Sequence, residues 1–184
     1  MHRIILPLCG VSTILLMVTF VLGLQIDDPK VFDRTVQAGV SRHFLCALAS
    51  LCFATLVHAI VLTYFMGTGR WLEETSAAYR LSPEAFQESQ RIKYRVVPLM
   101  VGCFLLLLTT GGFGAAADPS SPVQFQGWFG YSPALWHRGV AILTVLANIS
   151  VNYVEYVSLF RSSEIINGVM REVRRIRLEK GLAV

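Results

Sequence analysis

Four apolar blocks, each near the length of a bilayer crossing, divide this chain and leave little else. A hydrocarbon core about 30 Å thick takes ~20 apolar helical residues. The blocks run over about 4–24, 43–66, 96–117 and 135–160, with the charges gathered between them. Charged residues make up 15% of the chain, against about 25% in soluble domains. The pattern predicts an all-α integral membrane protein, one domain over residues 1–184, folded as a four-transmembrane-helix bundle. No stretch is left for a soluble catalytic domain. No phosphate-binding glycine loop, zincin motif or nucleophile elbow occurs, so no catalytic residue is assigned. The first block is read as a retained span. It is long for a signal-peptide core, and no A-x-A site follows it.

Basic residues near span ends stay cytoplasmic. The tail carries Arg161, Arg171, Arg174, Arg175, Arg177 and Lys180, and the 67–95 segment carries Arg70, Arg80, Arg91, Lys93 and Arg95. The "DPSSPVQFQGWFGYSPALW" loop has no lysine or arginine. Both termini and the 67–95 loop are therefore predicted cytoplasmic, in the manner of a bacterial inner-membrane protein if the cell is bacterial. The first loop fits least well, because Lys30, Arg34 and Arg42 lie there, accompanied by Asp27, Asp28 and Asp33.

Between spans two and three, Gly67 and Gly69 read as the end of a helix. Ser82, Pro83 and Glu84 open another that runs into span three. Ser132 and Pro133 likewise open span four. The tail over 161–180 places Ile165, Ile166, Val169, Met170, Val173 and Ile176 at helical spacing opposite its arginines. This is a basic amphipathic helix suited to an anionic membrane surface or a partner helix. A protein partner or a second copy would dock on 67–95 and 161–180. The net positive charge is a topology signal, so nucleic acid is excluded as a partner. Phe125, Trp128, Phe129, Tyr131 and Trp136 read as an interfacial aromatic belt beside the lipid bilayer, a quinone or lipid pocket being the alternative. Cys9, Cys46, Cys52 and Cys103 fall inside spans without metal-site spacing and read as small buried residues.

Span four carries a polar stripe. His137, Ala141, Thr144, Asn148, Asn152 and Glu155 share one helical face, which must turn from lipid toward the bundle interior. His43, Ala47, Ser50, Ala54 and His58 repeat the spacing in span two. The echo predicts two hairpins, spans one–two and three–four, in a parallel 2+2 repeat. It sets His43 level with His137, and His58 level with Asn152 and Glu155. A rise of ~1.5 Å per residue puts the two levels about 20 Å apart.

Three functions follow. In the first, the polar groups are interhelical glue, Glu155 is hydrated or paired, for instance with Arg95 or Arg161, and the chain is a non-catalytic accessory or scaffold subunit of a larger membrane complex. By level, His43 with His137 and His58 with Glu155 are the allowed histidine pairs. In the second, His43 and His137 are the axial ligands of haem b in an electron-transfer subunit, with Gly111, Gly112 and Gly114 giving close approach. No metal beyond haem iron is implied. In the third, the cluster of His58, Asn148, Asn152 and Glu155 relays protons in a small transporter. A single intramembrane carboxylate and four unbroken spans weigh against it.

Overall fold

The computed structural model describes residues 2–26, 28–31, 33–123 and 125–183, without the His2 side chain. Asp27, counted above in the first loop, lies outside them. The described residues form four helices, α1 (His2–Leu24), α2 (Arg34–Tyr79), α3 (Glu84–Ala117) and α4 (Pro133–Glu179). Each is long and apolar enough to cross a membrane. No strand occurs among the described residues beyond one isolated bridge, Trp128 to Tyr131.

Local chemistry fixes the ends. Asp33 caps α2, its carboxylate accepting from the backbone N–H of Thr35 at 2.8 Å and of Val36 at 3.4 Å. Arg80 ends α2 in the left-handed region at φ 55, where the Leu81 N–H turns back to the Ser76 carbonyl at 2.9 Å. Ser82 Oγ accepts from the Glu84 N–H at the head of α3. Ser132 caps α4 and Pro133 occupies its first turn. The α3–α4 loop turns at Gly127, φ 88, where a Cβ would lie 1.9 Å from the Tyr131 carbonyl oxygen. Only glycine fits there.

Two boundaries differ from the sequence expectation. Gly67 and Gly69 do not end a helix, because α2 runs through them to Tyr79. The buried line Phe65, Gly69, Leu72, Ser76 continues at helical spacing, and Gly69 faces the Gln90 side chain of α3. Tertiary packing thus outweighs the ~1 kcal/mol helix penalty of each glycine. The 161–180 tail is also not a separate helix but the unbroken continuation of span four. At ~1.5 Å per residue, the 46 residues of α2 and the 47 of α4 extend for about 70 Å, twice a hydrocarbon core. The 67–95 segment is consequently two helix extensions joined by a tight turn at 80–83. Together with the α4 extension they make a three-helix stalk, in which Arg161 reaches Glu88 at 2.6 Å.

α1 packs along α2, and α3 along α4; α2 also meets α3 and α1 meets α4. α2 and α4 touch across the diagonal, whereas the described residues of α1 and α3 do not. The packing is polar inside and apolar outside. Ser12, Thr19, Ser50, His58, Thr144, Asn148, Asn152 and Glu155 are buried, while Phe44, Leu105 and Leu146 are 61%, 55% and 59% exposed. In water that distribution would be unfavourable; in lipid it satisfies both surfaces.

Candidate functional site

The diagonal helices α2 and α4 position every histidine of the bundle interior. Near one end, the His43 and His137 rings meet edge to face with centroids 6.1 Å apart. His43 Nδ1 donates to the Thr19 carbonyl of α1 at 3.0 Å. Its Cε1 lies 2.8 Å from where a Cβ on Gly23 would be. The other hairpin repeats this contact. His137 Cε1 lies 3.1 Å from an ideal Cβ on Gly114 of α3, and its buried Nδ1 faces the Thr110 backbone without a hydrogen bond of good geometry. Of the three span-three glycines singled out in the sequence, only Gly114 backs a histidine. Gly111 packs on Leu51, and Gly112 has nothing within 4 Å.

An aromatic cluster closes this end. Phe113 stacks on Trp136 at 6.1 Å, Phe125 and Trp128 meet edge to face at 5.1 Å, and Trp136 Nε1 donates to the Trp128 carbonyl at 3.2 Å. These rings contact one another, and Trp128, Phe129 and Tyr131 also present exposed surface.

About two turns further in, the hydroxyls pair. Thr19 Oγ1 lies 2.7 Å from Ser50 Oγ, and Thr110 Oγ1 lies 2.6 Å from Thr144 Oγ1. The next level holds the polar cluster. His58 Nδ1 is 2.7 Å from Glu155 Oε1. Asn148 Nδ2 lies 3.2 Å from His58 Nε2; with the amide in this orientation Nε2 accepts and Nδ1 donates to the carboxylate, and the reversed amide exchanges the two roles. Asn152 Nδ2 donates to Asn148 Oδ1 at 3.0 Å, and Asn148 Nδ2 also approaches Cys103 Sγ of α3 at 3.7 Å. Glu155 is 0% exposed and its ion-pair partner is His58. A pairing with Arg95 or Arg161 is not made; Arg161 is bonded to Glu88 in the stalk.

The sequence reading missed Thr19 and Gly23 of α1, and the signal was available in the first span. Ile5, Pro7, Cys9, Ser12, Leu16, Thr19 and Gly23 occupy the same spacing as Val96, Pro98, Met100, Cys103, Leu107, Thr110 and Gly114. The matched pairs share a proline, a threonine and a glycine. In α2 and α4, the buried residues Ser50, Ala54, Val57, His58, Val61 and Phe65 fall in register with Thr144, Asn148, Val151, Asn152, Glu155 and Leu159. No group of three or more His, Cys, Asp or Glu side chains that could hold a metal ion occurs among the described residues. No protein family, curated protein or solved structure matches the chain.

Proposed function

We propose that the chain is a four-span membrane subunit that holds haem b between His43 and His137 and serves electron transfer within a larger membrane assembly. The observation that carries this reading is the matched surroundings of the two imidazoles. Each projects from the long helix of its own hairpin onto a glycine of the neighbouring helix, where a Cβ would intrude. Iron-ligating histidines give one ring nitrogen to the metal and donate the other N–H to a nearby oxygen. His43 already does so through Nδ1 to Thr19. The His137 ring lies in the same relation to Gly114 and faces the backbone of Thr110, at the position matching Thr19. In this site the chain's residues hold the ligand rings, give close approach through Gly23 and Gly114, and shield the end with Phe113, Trp128 and Trp136. Haem b bound there supplies a one-electron relay.

The two hairpins are read as a parallel 2+2 repeat about an axis along the membrane normal, as the shared spacing supports. The termini and the stalk are assigned to the cytoplasm from their basic residues. The histidine pair then lies near the outer face. The stalk offers the surface on which a protein partner would dock.

Visible spectra of the protein purified from haem-supplemented cells, oxidised and reduced, test the proposal. A Soret band lost in both His43→Ala and His137→Ala, but kept in His58→Ala, is the expected result. A colourless folded protein would return the chain to the scaffold role, which the interhelical hydroxyl pairs support by themselves.

A further inference from the structure

The level below the histidine pair uses the same register differently. Where His43 is matched by His137, His58 is matched by Asn152, so a second facing pair of imidazoles cannot form. The space is taken instead by four side chains linked head to tail. Asn152 donates to Asn148, Asn148 to His58, and His58 to Glu155. The chain of donors stops at Glu155. Two acceptors are left buried without partners, Glu155 Oε2 and Asn152 Oδ1, and they belong to residues one turn apart on one face of α4.

We infer that His58, Asn148, Asn152 and Glu155 form a one-proton binding site inside the bundle, closed into a ring when a proton joins Glu155 to Asn152. Two buried acceptors cannot satisfy each other; a hydrogen between them satisfies both. With that proton, every member of the ring donates once and accepts once. The count survives reversal of the amides, whose oxygen and nitrogen ends are interchangeable in shape. In the reversed ring, His58 Nε2 donates to Asn148, Asn148 to Asn152, Asn152 to Glu155, and the proton lies between Glu155 and His58 Nδ1. Without it, turning Asn152 to donate to Glu155 Oε2 orphans Asn148 Oδ1, so one acceptor always stays unpaired.

Charge points the same way. The loaded ring is neutral overall, and the emptied ring leaves one negative charge in a site closed to water. The titratable groups turned toward it are His58 from α2, Cys103 from α3, Glu155 itself from α4 and Cys9 from α1. Among the described residues, no lysine or arginine lies within ion-pair distance of Glu155. The count of donors and acceptors is the same in either direction and is independent of haem.

The test is the pH dependence of thermal stability for the full chain in mild detergent, with Glu155→Gln and Glu155→Leu alongside. The carboxamide introduced by Glu155→Gln can accept from His58 and donate to Asn152, closing the ring without an exchangeable proton. The folded wild-type protein holds a proton that its unfolded form releases, so its melting temperature should fall as pH rises from neutral to alkaline. Glu155→Gln should melt close to the neutral-pH wild type and lose this fall, and Glu155→Leu should melt several degrees lower throughout. Parallel pH profiles for wild type and Glu155→Gln would overturn the assignment. So would a Glu155→Gln protein as unstable as Glu155→Leu. A wild-type melting temperature that follows added Na⁺ or K⁺ instead of pH would make the occupant a metal cation and reject the proton.

Discussion

Gly23 and Gly114 hold places that no larger residue can enter without moving a histidine ring. A Cβ at position 23 would stand 2.8 Å from His43 Cε1, and at position 114 it would stand 3.1 Å from His137 Cε1. Gly23→Ala is expected to destabilise by about 1–3 kcal/mol, the range for overpacking, and, under the haem proposal, to weaken the Soret band. Gly112→Ala, which meets nothing within 4 Å, should change neither. Thermal melts and haem content measured together check both. Outside the spans, the cap at Asp33 gives an expected pH effect whose sign follows from its hydrogen bonds. The backbone N–H groups of Thr35 and Val36 hold its carboxyl below the ordinary 3.8. Its cap is therefore fully present above that value and is lost as pH falls through the lower folded value. Protection of the Thr35 and Val36 amides from hydrogen exchange, taken relative to the unstructured chain at each pH, should fall on acidification in wild type. In Asp33→Ala it should be low at every pH, and equal protection in the two proteins at neutral pH would rule out the cap.

At the scale of elements, the stalk decides what the charged segments are. Leu72 is fully buried in the part of α2 beyond the apolar block. Leu72→Ala should cost about 2–5 kcal/mol and expose the 80–83 turn to protease while the four spans stay intact. Equal proteolysis of wild type and variant would show that the stalk does not depend on this contact. The Arg161–Glu88 pair, 65% and 43% exposed in its side chains, should contribute little by comparison. Gly67 and Gly69 misled the sequence reading because a local stop signal was weighed without the partner surface that overrides it. The caps at Ser132 and Asp33 are local devices. Ser132 was legible, since a side chain two or three residues from its donor needs no tertiary partner. The aromatic loop was half legible: its composition suits an interface, but its stacking on Phe113 required α3 and α4 to be set side by side.

For the molecule as a whole, the basic stalk and the α3–α4 loop, which has no lysine or arginine, give a testable orientation. Single cysteines placed at Ser120 and at Lys180 in a cysteine-free chain should react with an impermeant maleimide from opposite sides of the membrane. Labelling of both from one side would refute the topology. The number of spans, their helical class and the face that each polar residue takes were determined by the sequence alone. Hydropathy and the 3.6-residue period are properties of consecutive residues. The level of each residue along its span was also readable, and with it the matching of His43 to His137 and of His58 to Glu155, because rise per residue is fixed. What only the tertiary structure decided is which helices touch. Contact of α2 with α4 across the diagonal, with α1 and α3 apart, brings those levels into contact. It selects His58 among the partners open to Glu155, and it sets Gly23 against a ring. Those outcomes depend on helix rotation and side-chain packing between segments remote in sequence, which no local pattern encodes.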